Sequence, residues 1–219
     1  MLAEETPLVR RTVRTGGVLL AVAAVQFVVV ALLVASRYSG YAMWTGSVTA
    51  LGSSSSPWAL AFNGSLVALG LLGILGFLFS WSAFDERPSR GVGLFGLLLA
   101  SLATVCVGAF GLLGSRLPSN AVATASYVAI GAAGVGLLVV ASAMHRHERW
   151  RVSRAYTFVT GLVVVGGLVL YLVHLLNVSP GAVARLAVGA ALLWAVVEGL
   201  HIALLHRFAP GLQVKIATA

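Results

Sequence analysis

Glu198 and His201 are the residues whose types and spacing point most directly to chemistry. Side chains three positions apart share one face of a helix, and a carboxyl beside an imidazole can pass a proton. Glu198 is the one acidic residue inside any long apolar run of the chain. An ionisable group at bilayer depth is costly, which makes it a functional suspect. Gln26 falls at a comparable depth in the first apolar run and is expected to hydrogen-bond Glu198. The three residues read as a proton or ion relay; the plain alternative is a buried structural carboxyl.

A second constellation surrounds the stretch SVTALGSSSSPWALAFNGS, residues 47–65. Ser47, Thr49, Asn63, Ser65, His174 and Arg185 all map to one end of the apolar runs. Polar groups in lipid must find partners or line a cavity. The first loop is therefore expected to fold back as a lid, its hydroxyls satisfying Asn63 and meeting His174 and Arg185. The space beneath it is either a structural cap or a pocket for a lipid or small molecule. An alternative is an intramembrane hydrolase acting on a lipid near the outer leaflet, with His174 activating Ser47 or Ser65. The sequence has no G-x-S-x-G elbow and no H-E-x-x-H pair, so no catalytic residue is assigned.

Metal and cofactor chemistry is not expected. Zinc ligands must converge to about 2.0–2.1 Å from one ion, whereas His174, His201 and the group His145, His147 and His206 fall at different depths. Haem would need histidines facing one another at one level. The single cysteine, Cys106, rules out an internal disulfide and reads as a small apolar side chain.

These residues must be positioned by membrane helices. The chain has 219 residues, of which 59% are hydrophobic and 9% charged; soluble domains carry about 25% charged residues. Six apolar runs, about 15–36, 57–81, 91–114, 121–145, 155–177 and 181–205, are each long enough to span a bilayer. The expected fold is all-α: a single polytopic transmembrane bundle of six helices over 1–219, with a structured outer loop between the first two. The first run is too long for a signal-peptide core and reads as an uncleaved span.

Of 14 Lys and Arg residues, only Arg37, Arg116 and Arg185 fall at the end that carries the first loop. The positive-inside rule then puts both termini in the cytoplasm and that loop outside the cell membrane. Trp44 and Trp58 are expected at the outer interface, Trp81 and Trp150 at the inner one. The net charge of +8 follows from this arginine placement rather than from nucleic-acid binding. The expected partners are membrane lipids, with self-association or a larger membrane complex also open. Small residues at helical spacing, Gly70, Gly73 and Gly76, Gly108, Gly111 and Gly114, and Ala121, Ala125, Ala129 and Ala133, are expected to pack helix on helix.

Ser47, the Leu51-Gly52 step, Pro57, the Phe62-Asn63 pair and Leu69-Gly70 together resemble the domain of unknown function 998 family. The resemblance implies a six-helix membrane protein of the kind found in archaea and bacteria, and no particular activity. The chain departs from the family pattern at Ala50, where an acid or amide is usual, and after Phe110, where proline is usual. It also lacks the histidine that often precedes the fourth span. The reading that results is a non-enzymatic bundle that binds lipid or a small molecule, carries it as a transporter does, or serves as an accessory subunit.

Overall fold

The computed structural model describes residues 7–39, 41–42, 46–83, 88–113, 120–144, 151–173 and 180–204. They form six long helices: α1 (Pro7–Arg37), α2 (Ala59–Phe79), α3 (Pro88–Leu113), α4 (Ala121–Ala143), α5 (Arg151–Val173) and α6 (Pro180–Leu204). All six are long and apolar enough to cross a membrane. Short 3-10 turns follow α1, at Val48–Gly52, and α2, at Trp81–Ala83. Among the described residues there is no strand. The expected all-α bundle of six spans is therefore the fold. The largest boundary difference is at α1, which begins eight residues before the apolar run, because Arg10, Arg11 and Arg14 are good helix formers that polarity alone does not exclude.

The helices form a ring in chain order. Each packs on its sequence neighbours, and α6 closes on α1. We call the end where α1 begins and α6 finishes the terminal end, and the opposite one, where Val48–Gly52 sits, the cap end. Large apolar side chains cover the outside, among them Val25, Val29 and Leu33 of α1 and Phe95 and Leu102 of α3. A soluble protein would place charge there; here the surface suits lipid.

Because lipid offers no hydrophobic drive for one helix to leave it for another, close backbone approach must hold the ring. The seam between α1 and α6 is a glycine pair. A methyl at Gly199 would sit 2.6 Å from the Gly17 carbonyl oxygen and 2.9 Å from the Ala21 nitrogen. At the α2–α3 seam, a methyl at Gly108 would sit 2.6 Å from the Asn63 carbonyl oxygen. On α4 the small-residue stripe behaves differently from the packing face expected of it. Ala129 and Ala133 line an internal cavity. The close approaches on α4 come instead from Gly134, toward Val164 and Val165, and from Gly136, toward Gly93 and Leu97.

The interior is packed unevenly. At the terminal end Leu20, Phe77, Leu94, Leu97, Leu137, Val140, Val164, Trp194 and Ile202 form one buried cluster. At the cap end a smaller cluster of Phe27, Val34, Leu51 and Phe62 joins α1, α2 and the first 3-10 turn. The cap-end half of α4 and the last stretch of α5 contribute no fully buried residue: none in 121–133 or 168–173.

Replacing Gly199 with leucine should part the α1–α6 seam and cost about 1–3 kcal/mol. A fall in Tm and loss of a monodisperse peak in detergent would report it. Gly189→Ala, which adds a methyl where nothing lies within 4 Å, should leave both unchanged.

Candidate functional site

The cap is built from the first loop. Ser47 caps the Val48–Gly52 turn, its hydroxyl accepting from the Thr49 N–H at 3.2 Å and sharing a 2.7 Å hydrogen bond with the Thr49 hydroxyl. Leu51, 3% exposed, anchors the turn in the cap-end cluster. Asn63 Nδ2 donates to the Gly52 carbonyl at 2.9 Å. The loop thus folds back onto α2, and it meets Asn63 with a backbone oxygen rather than with the expected hydroxyls. A carbonyl freed by the sharp turn needs a donor once buried, and Asn63 is the donor at hand. The serine run has its own bonds: Ser53 donates to the Ala50 carbonyl at 2.7 Å, and Tyr38 donates to the Ser55 hydroxyl at 3.0 Å.

Arg185 ties the same loop to α6. Its Nη2 donates to the Tyr41 hydroxyl and, at 2.7 Å, to the Gly46 carbonyl. Its guanidinium lies over the Tyr41 ring, 5.7 Å from the centroid. Tyr41 in turn donates to the Ser47 carbonyl at 3.1 Å. Sequence reading missed Tyr41; an aromatic hydroxyl in a polar loop opposite a lone arginine is the signal that marks it. Ser65 lies apart from the cap, donating to the Phe62 carbonyl of its own helix at 2.7 Å. His174 lies outside the described residues, as do Trp44, Trp150, His145, His147, His206 and Arg116.

Beneath the cap is a cavity of about 380 Å³. All six helices and the loop line it, mostly with apolar side chains; Ser101, Thr104 and Ser126 also line it, each donating to a carbonyl of its own helix. Ser47 and Thr49 belong to its cap-end rim, with Tyr127 and Tyr171 of α4 and α5, whose rings lie 6.0 Å apart. Its floor is the terminal-end cluster: Leu20, Leu97, Leu137, Val164 and the stacked pair Phe77–Trp194, with centroids 6.3 Å apart. The cavity exists because small residues, Gly70, Gly73, Ala129, Ala133, Gly167 and Ala191 among them, line it at mid-height and leave its space unfilled.

Below the floor lies the second constellation. Glu198 is 2% exposed. Its Oε1 accepts from the Ser153 hydroxyl at 2.5 Å, and its Oε2 lies 3.2 Å from His201 Nδ1. One turn nearer the floor, Trp194 Nε1 donates to the Thr157 hydroxyl at 2.8 Å. Ser153 and Thr157 are four apart on α5, as Trp194 and Glu198 are on α6. The two pairs are consecutive rungs between antiparallel helices, a match that neither helix reveals alone. The shared carboxylate stands between Ser153 and His201, so His201 is not arranged as a base on the serine, as nucleophilic catalysis requires. Gln26 is not in this group. Its Nε2 donates to the Ser65 carbonyl at 3.0 Å, because Gln26 lies farther along α1, toward the cap end, than Gly17, which faces Gly199.

Replacing Asn63 with leucine leaves the half-buried Gly52 carbonyl without its donor, a loss of about 1–3 kcal/mol. The expected result is a lower Tm together with faster protease cleavage within 47–58; an unchanged cleavage rate would show that the bond does not hold the cap.

No protein-family model, curated protein or solved structure matches the chain.

Proposed function

We propose that this chain is a membrane-embedded binding protein that takes one apolar chain into its central cavity from the cap end. The observation that carries the reading is the cavity. Its volume, about 380 Å³, falls within the roughly 300–1,000 Å³ of small-molecule sites. Its walls are mostly apolar, Ser47, Thr49, Tyr127 and Tyr171 sit at one rim, and Ser101 and Thr104 lower down donate their hydroxyls to carbonyls of their own helix, a distribution that suits a tailed molecule. An apolar cavity of this kind gains little from water, so its natural content is hydrocarbon. The arginine asymmetry supports a cap facing away from the cytoplasm, in the cell membrane. The family resemblance supports the architecture and adds no substrate.

A second reading is favoured by the Ser153–Glu198–His201 cluster. His201, with a side chain 32% exposed, stands between the terminal end and a carboxyl 2% exposed. That order leads a proton from the surface to Glu198, under the floor of the cavity, and would couple proton movement to cargo.

Two experiments test these readings. Native mass spectrometry of protein extracted in mild detergent should detect a retained lipid. Ala191→Phe, which fills the cavity, should weaken its binding at least about tenfold, equivalent to 1.4 kcal/mol, without lowering Tm. A wild-type protein that carries no lipid and takes up none from mixed micelles removes the binding reading. For the relay, Glu198→Gln preserves an acceptor for Ser153 but cannot ionise. Proteoliposomes containing a pH-sensitive dye should respond to an external pH step with wild type and not with this variant. Equal responses of the two would remove the relay.

A further inference from the structure

We propose that Arg185 holds the anionic head of a single-tailed amphipath whose tail fills the cavity; this rests on the binding reading above and names its ligand class.

Arg185 is half-buried near the start of α6, beside the cavity-lining residues Ala184 and Val188. Its Nη2 is occupied by two neutral acceptors, the Tyr41 hydroxyl and the Gly46 carbonyl. Its Nη1 is buried and meets no hydrogen-bond acceptor among the described residues. A buried N–H end of a guanidinium left without an acceptor is unfavourable, and a counter-anion would relieve it. Among the described residues the one carboxyl side chain is that of Glu198. It lies below the floor, and Glu4, Glu5, Asp85, Glu86 and Glu148 fall in sequence before α1, between α2 and α3, or between α4 and α5. None belongs to a segment that joins helices at the cap end.

The fork of a guanidinium matches the paired oxygens of a carboxylate or phosphate. Ser47 and Thr49, on the loop that Arg185 grips, add hydroxyls at the cavity rim. From Arg185 to the floor residue Trp194 is nine positions of α6, about 13 Å of depth for a tail. Charge beside the rim and an apolar space beneath it match the two ends of one such molecule.

The test uses purified full-length protein in detergent and three ligands: palmitate brominated at the tail end, the matching brominated hexadecanol, and inorganic phosphate. Bromine near the floor should quench Trp194, identified by loss of the signal in Trp194→Phe. Arg185→Gln should weaken palmitate binding about 10- to 100-fold and leave hexadecanol binding unchanged, which also certifies that the variant is folded. Arg185→Lys should keep the preference for acid over alcohol, and it decides the matter if Arg185→Gln fails to fold. Palmitate affinity unaltered in Arg185→Gln, or an acid preference absent from a folded Arg185→Lys, overturns the head-group assignment while the cavity reading survives. Displacement of palmitate by millimolar inorganic phosphate also overturns it, since the arginine would then serve a free anion. Wild-type protein that binds neither acid nor alcohol fails the cavity reading itself.

Discussion

A hydrogen-bonding group surrounded by hydrocarbon has no water to turn to, and the structure is shaped by that scarcity. Helices answer it for the backbone. Side chains and irregular segments must answer it individually. The Gly52 carbonyl, released where the 3-10 turn ends, takes Asn63; the Ser65 carbonyl takes Gln26; Glu198 takes Ser153. Each bond joins different elements, the second and third across long stretches of sequence, so the polar residues serve as the specific contacts of a bundle whose apolar contacts are generic. Glycine then sets how closely the helices approach, and at Gly17 and Gly199 it lets α6 meet α1 and complete the ring.

Closing a ring of six helices leaves an axis that must be filled or left empty. At the terminal end it is filled by bulky residues, Phe77, Leu137 and Trp194. Toward the cap end alanine and glycine line it, and the space stays open. The same small residue can therefore draw helices together or hollow out the space between them, depending on the direction in which it points. Ala133 and Gly134 are adjacent, yet Ala133 lines the cavity while Gly134 packs against α5.

The number of crossings and their approximate limits were legible because length and apolarity are one-dimensional properties. The return of the first loop was legible too, since a buried asparagine beside a polar loop implies a partner. The partner's identity was not. A free backbone carbonyl leaves no mark in a sequence, and hydroxyls are only the visible candidates. Gln26 and Glu198 share a nominal mid-depth, but the offset between α1 and α6 puts them at different levels of the bundle. The rungs Ser153–Glu198 and Thr157–Trp194 depend on the register between two antiparallel helices, which only packing decides. The inward turn of Ala129 and Ala133 needed knowledge of where the axis runs.

The first loop is bonded to α2 through Asn63 and to α6 through Arg185, the two helices that flank α1. These three helices are therefore laced together at the cap end. On the far side, α4 has no fully buried residue over 121–133 and α5 none over 168–173; low burial of this kind marks the parts of a protein that yield first. The mouth accordingly has a stiff arc and a compliant one. Any widening of it is borne by α4 and α5, as a hinged panel moves in a frame whose other side is fixed.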